Sequence, residues 1–89
     1  MIRRPMKYQM EVYTLLFARK SDEELLVECW GVFPTDEKIQ AAFIEGCREL
    51  ENLYEVKEKI FDSNHMIIWT DDDVMLELRV DATTYYMEV

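Results

Sequence analysis

The sequence predicts an α+β domain: an antiparallel sheet of five to six strands with one main helix, in the order ββα and then a β-meander. Three observations predict it. Two runs rich in β-branched and aromatic residues open the chain, separated by a charged turn. A segment after Pro34 repeats its apolar residues at helical spacing. The rest of the chain is cut into short alternating segments by Asp-, Asn- and Ser-rich turns. At 89 residues the chain has the length of a single domain. Residues 1–6 read as a flexible basic N-terminus.

The first strand covers Tyr8 to Ala18, where Val12, Tyr13, Thr14 and Phe17 favour extended backbone. Arg19 to Glu24 forms the turn, and Leu25 to Phe33 the second strand of a hairpin. On this second strand Leu25, Val27, Cys29, Gly31 and Phe33 share one face by strict alternation. Leu26, Glu28, Trp30 and Val32 share the other. Both faces carry apolar groups, which predicts a strand covered on both sides.

Thr35 is an N-cap residue, and Asp36 and Glu37 fill the first turn, where the helix dipole favours anions. Ile39, Ala42, Phe43, Gly46, Cys47 and Leu50 then recur with helical period, with charged residues opposite. The spacing predicts a helix over about residues 36–52. Asn52 suits a left-handed position at its end, with Leu53 folding back. A strand follows over about Glu55 to Phe61; the alternative is one helix running to Phe61. Asp62-Ser63-Asn64 is a turn, His65 to Thr70 a strand and Asp71-Asp72-Asp73 a turn. Val74 to Val80 alternates with Val74, Leu76, Leu78 and Val80 inward. Asp81-Ala82-Thr83 turns again, and Thr84 to Val89 forms a final short strand.

Composition narrows the function classes. Nineteen acidic residues against ten basic ones give a formal charge of −9. The phosphate backbone repels such a chain, so direct nucleic-acid binding is disfavoured. Arg3, Arg4, Lys7, Arg19 and Lys20 against Glu11 give the first twenty residues a net +4, leaving −13 on the remainder. A field of that sign steers the chain towards basic surfaces. No secretory signal and no apolar run long enough to span a membrane is present, which predicts a cytoplasmic protein. Cys29 and Cys47 read as small buried thiols of a reducing compartment.

Motifs of chemistry are missing. Asp71-Asp72-Asp73 lacks the alternate-residue acids, the loop glycine and the distal Glu of a calcium loop, and reads as a solvated turn. His65 is the only histidine, and no nucleophile elbow accompanies it. There is no Gly-rich phosphate loop and no Cys-x-x-Cys pair. The expectation is no enzyme, no cofactor and no metal.

A packing mismatch points to a partner. A helix of about 17 residues is roughly 25 Å long and roofs about four strands. The far face of a wider sheet then holds surplus apolar groups, with Trp30, Trp69, Ile67, Tyr13 and Leu15 as candidates. Exposed apolar patches mark partner sites, and Trp and Tyr are frequent anchors. The expected partner-binding residues are Trp30, Trp69 and Tyr13, with Glu45, Glu49, Asp71, Asp72, Asp73 and Glu77 as the acidic complement.

The run Trp30-Gly31-Val32-Phe33-Pro34-Thr35-Asp36-Glu37-Lys38, continuing to Phe43, resembles the strand-to-helix junction of small uncharacterised bacterial and phage ββα-type domains. The resemblance covers residues 12–44 and implies the ββα opening but no activity. In its general character the chain is also similar to phage-encoded inhibitors of host proteins. The resulting expectation is a non-enzymatic binding module that meets a basic, nucleic-acid-binding surface of a host protein by acidic mimicry. The alternative is a structural homodimer through the uncovered sheet face.

Overall fold

The computed structural model describes residues 7–88, and side chains over residues 9–84. The expected basic terminus at residues 1–6 lies outside the described residues. Five strands and one helix follow in the order β1 (Lys7–Lys20), β2 (Leu25–Phe33), α1 (Asp36–Leu53), β3 (Val56–Phe61), β4 (His65–Thr70) and β5 (Met75–Glu88). The fold is α+β, with one antiparallel sheet of spatial order β2-β1-β5-β4-β3. No helix among the described residues is long and apolar enough to cross a membrane.

α1 begins where the cap chemistry puts it. The Thr35 side chain accepts from the Lys38 N–H at 3.2 Å, satisfying one free donor of the first turn. Ile39, Phe43, Gly46, Cys47 and Leu50 form its buried stripe. They meet Leu15 and Phe17 of β1, Met66 and Ile68 of β4, and Leu76 and Leu78 of β5 in one core. Gly46 permits the close approach: a Cβ there would sit 2.8 Å from Leu78 Cδ2 and 3.5 Å from the Trp30 ring. The helix runs to Leu53, so Asn52 is helical and not a left-handed cap. Tyr54 closes the end in extended conformation, its N–H bonded to the Leu50 carbonyl. Strand β3 then starts, as the two-element reading expects.

Two strands differ from the sequence reading. β5 is continuous from Met75 to Glu88, with no turn at Asp81–Thr83 and no separate last strand. Its second half pairs with the first half of β1, from Lys7 opposite Glu88 to Val12 opposite Thr83. This two-stranded ribbon projects about 20 Å past the ends of β2 and β4. It helps explain a radius of gyration of 17.3 Å, where a compact chain of this length gives about 12 Å.

β2 also departs from simple alternation. Its register with β1 shifts between Leu15 and Leu16: Leu15 opposes Gly31, but Leu16 opposes Cys29. Trp30 is the extra residue of a β-bulge, which changes the face of everything beyond it. Leu25, Val27 and Cys29 therefore share a face with Val32, whereas Gly31 and Phe33 lie with Trp30 on the helix side. The Phe33 ring folds over Gly31, where a Cβ would stand 2.8 Å from it. β2 is an edge strand open on one face, not a strand covered on both sides.

Candidate functional site

The face of the sheet opposite α1 has no described element packed over it. The registers lay its side chains out in rows. One row runs Val27, Ala18, Glu77, Ile67, Ile60 from β2 to β3. The next runs Leu25, Lys20, Met75, Trp69, Glu58. On the other side of the first comes Cys29, Leu16, Arg79, His65, and then Val32, Thr14, Asp81. The face thus has two apolar flanks. Leu25, Val27 and Val32 on one side and Ile60 on the other are 57–65% exposed.

A polar spine separates the flanks. His65 Nε2 donates to Glu77 Oε2 at 2.8 Å, and Arg79 donates to Asp81 at 3.2 Å. Glu77 and Asp81 of β5 are therefore both partnered within the face. His65 and Cys29 share a row but stand three strand spacings apart, about 14 Å, so they form no catalytic pair. Among the described residues, no three His, Cys, Asp or Glu side chains converge to hold a metal ion.

One end of this face is strongly acidic because two of the sheet's three hairpins turn there. Ser21 to Glu24 joins β1 to β2, and Asp71 to Asp73 joins β4 to β5, with Lys20 opposite Met75 tying the two turns together. The triple-Asp turn has a structural origin. Asp73 adopts a left-handed conformation, φ 58°, which Asp tolerates better than most residues. Its N–H bonds the Thr70 carbonyl, and the Val74 N–H bonds Thr70 Oγ1. Such a three-residue loop ending in a left-handed residue is a common hairpin connection.

Between the two turns lies a hollow of about 230 Å³ lined by Lys20, Ser21, Asp22, Trp69, Asp73 and Met75. The indole and the thioether give it apolar walls. Asp22 and Asp73 are exposed beside them, and among the described residues Asp73 has one long contact, 3.9 Å, with Lys57. An aromatic face beside exposed carboxylates is a site for a cationic side chain: the ring quadrupole and the carboxylates attract the same charge.

Comparison with protein-family models, with curated proteins and with solved structures finds no match. The site therefore rests on geometry.

Of the expected partner residues, the structure brings together Trp69 and Asp73 in the hollow, with Asp71 and Asp72 on the same turn and Glu77 on the same face. Trp30 is elsewhere. It stacks on Phe17 at 4.6 Å and 17° on the helix side, because the bulge aims it at Gly46. Leu15 is core. Tyr13 is half-buried on the helix side too, and burial, helped by Glu11 and Asp36, pushes its phenol above the usual value. Glu45 and Glu49 lie with Arg48 on the outer surface of α1, away from the uncovered face. Asp22 is the site residue that sequence reasoning missed. Its signal was present in the charged Arg19–Glu24 turn, but only strand order places that turn beside Trp69.

The two cysteines separate. Cys47 is buried as expected, but Cys29 is exposed, because it stands on the uncovered face of an edge strand. Burial, with Glu51 adding to it and Lys59 opposing, pushes the Cys47 thiol from 9.0 to about 11. The thiolate is the reactive form. Mildly alkaline labelling of the folded chain with iodoacetamide is expected to modify Cys29 within minutes and Cys47 only on unfolding. Equal rates by mass spectrometry would contradict this assignment.

Proposed function

We propose that this chain is a non-enzymatic protein-binding module, of the kind phages and mobile elements use as inhibitors, that seats a basic surface of a partner protein on its uncovered sheet face. The observation that carries this reading is the Trp69 hollow with its Asp22 and Asp73 rim. It offers a lysine or arginine side chain of the partner an aromatic wall and two carboxylates. Beside it, the apolar flanks supply non-directional burial, and the surrounding turns carry Glu23, Glu24, Asp71 and Asp72. Basic surfaces that hold nucleic acid are natural targets for such a distribution, so the module would compete with the phosphate backbone for them.

The test is a titration with a peptide rich in arginine and lysine, followed by Trp69 fluorescence in a Trp30→Phe background. Saturable binding is expected, with affinity falling steeply with salt, because screening shortens from about 30 Å at 0.01 M to about 3 Å at 1 M. Binding that is absent, or equally tight at both salt concentrations, removes the basic-partner reading.

A further inference from the structure

The two edges of the sheet are built differently. β3 carries Lys57, Glu58 and Lys59 among its six residues, and its register with β4 slips between Val56 and Glu58. Charges and a bulge are the usual protections against edge-to-edge pairing. β2 lacks most of that protection. Glu28 is the single charged side chain in its nine residues, it holds no proline, and Leu25 and Val27 are 65% and 61% exposed. Its pairing with β1 is unbroken from Leu25 to Cys29, before the bulge begins. Among the described residues β2 has β1 as its sole neighbour in the sheet, so its outer side presents open backbone donors and acceptors.

We propose that β2 is a pairing edge for a second copy of this chain, joined antiparallel about a two-fold axis at Val27. In that register Val27 faces Val27 of the second copy, Leu25 faces Cys29, and Leu26 faces Glu28. Charge favours this occupant at this place. Two copies at −9 each repel over most of their surfaces. Over Leu25–Cys29 each copy brings one charge, Glu28, to the contact, and the register sets each Glu28 opposite a leucine instead of the other Glu28. A two-fold contact also requires a self-complementary surface, which an alternating apolar strand supplies. Pairing joins Leu16, Ala18, Leu25 and Val27 of both copies into one apolar field. A pair of five-residue stretches buries less than the roughly 1,200–2,000 Å² of a stable interface, so the dimer is weak and forms at high concentration. The pairing does not depend on the basic-partner reading, since it uses the outer backbone of β2, and no β2 residue lines the Trp69 hollow.

Sedimentation velocity of the full chain from micromolar to millimolar concentration reads it directly. The wild type is expected to move from monomer to dimer. Val27→Lys, at an exposed position that leaves the core alone, is expected to stay monomeric with an unchanged circular dichroism spectrum. Ile60→Lys, equally exposed on the far edge, is expected to dimerise as the wild type does. In a Cys29→Ser background, Val27→Cys is expected to form a disulfide dimer under mild oxidation, because directly opposed residues bring their Cβ atoms to about 4.5–5.5 Å. A chain that stays monomeric throughout overturns the proposal. So does a dimer that survives Val27→Lys, and one abolished by Ile60→Lys points instead to face-to-face association.

Discussion

Replacing Phe43 by alanine is expected to cost about 3–5 kcal/mol of folding free energy, the largest stability effect of any change considered. Phe43 is 1% exposed and sits at the middle of the buried stripe of α1, between Ile39 and Cys47. Its ring also stacks at 6.0 Å on Phe61, a principal contact between the helix and edge strand β3. Truncation removes apolar area from the core and leaves a cavity that the β1 and β5 side chains fill poorly, because sheet backbone cannot collapse towards a helix one residue at a time. At about 0.05–0.15 kcal/mol per residue, a chain of this length holds roughly 4–13 kcal/mol in total. The variant is therefore expected to lie close to its unfolding threshold. Urea denaturation followed by circular dichroism measures this, with the midpoint falling and the slope preserved. A loss below about 1 kcal/mol would mean that α1 is held elsewhere than by this stripe.

That prediction uses the part of the fold most readable from sequence. Ile39, Phe43, Cys47 and Leu50 recur at a period only a helix satisfies, and Thr35 marks its start, so the element and its buried face follow from local pattern alone. The alternation of Leu76 and Leu78 against Glu77 and Arg79 fixes the faces of β5 in the same way. What local pattern does not hold is pairing. Asp81-Ala82-Thr83 has turn chemistry, yet it stays extended because β1 supplies partners for it, Thr14 for Asp81 and Val12 for Thr83. The length mismatch between the long first run and the short Val74–Val80 segment was a clue to that.

The bulge at Trp30 is the costlier omission, since a one-residue slip moves each later side chain to the opposite face. A glycine inside a strand often marks such a place, and Gly31 follows Trp30 directly. Reading that signal would have moved Trp30 from the partner surface into the packing against Phe17. It would also have put Cys29 and Val32 together on the open side. The hollow around Trp69 was half legible. The indole and the triple-Asp turn are neighbours in sequence, but Asp22 and Lys20 arrive only through β1 lying beside β5.

The two tryptophans make the decisive pair of variants. Trp69→Ala is expected to weaken binding of the basic peptide by about thirtyfold or more, equivalent to about 2 kcal/mol, with folding nearly unchanged. Trp69 stands on the uncovered face opposite Met75 and Glu58, while its chain neighbours Ile68 and Thr70 hold the core from the other side. Removing the indole strips the hollow of its aromatic wall and leaves Asp22 and Asp73 as solvated carboxylates, whose attraction to a cation is heavily screened by water. Trp69→Phe keeps a ring but a poorer quadrupole, and is expected to fall between the two. Trp30→Ala should behave in the opposite way, losing stability through the Phe17 stack and the contact beside Gly46. Calorimetric titration alongside thermal melting separates these outcomes. If Trp69→Ala binds the peptide as the wild type does, the cation is held by diffuse charge and the hollow is not the site; if it unfolds, the indole is a structural part of the sheet.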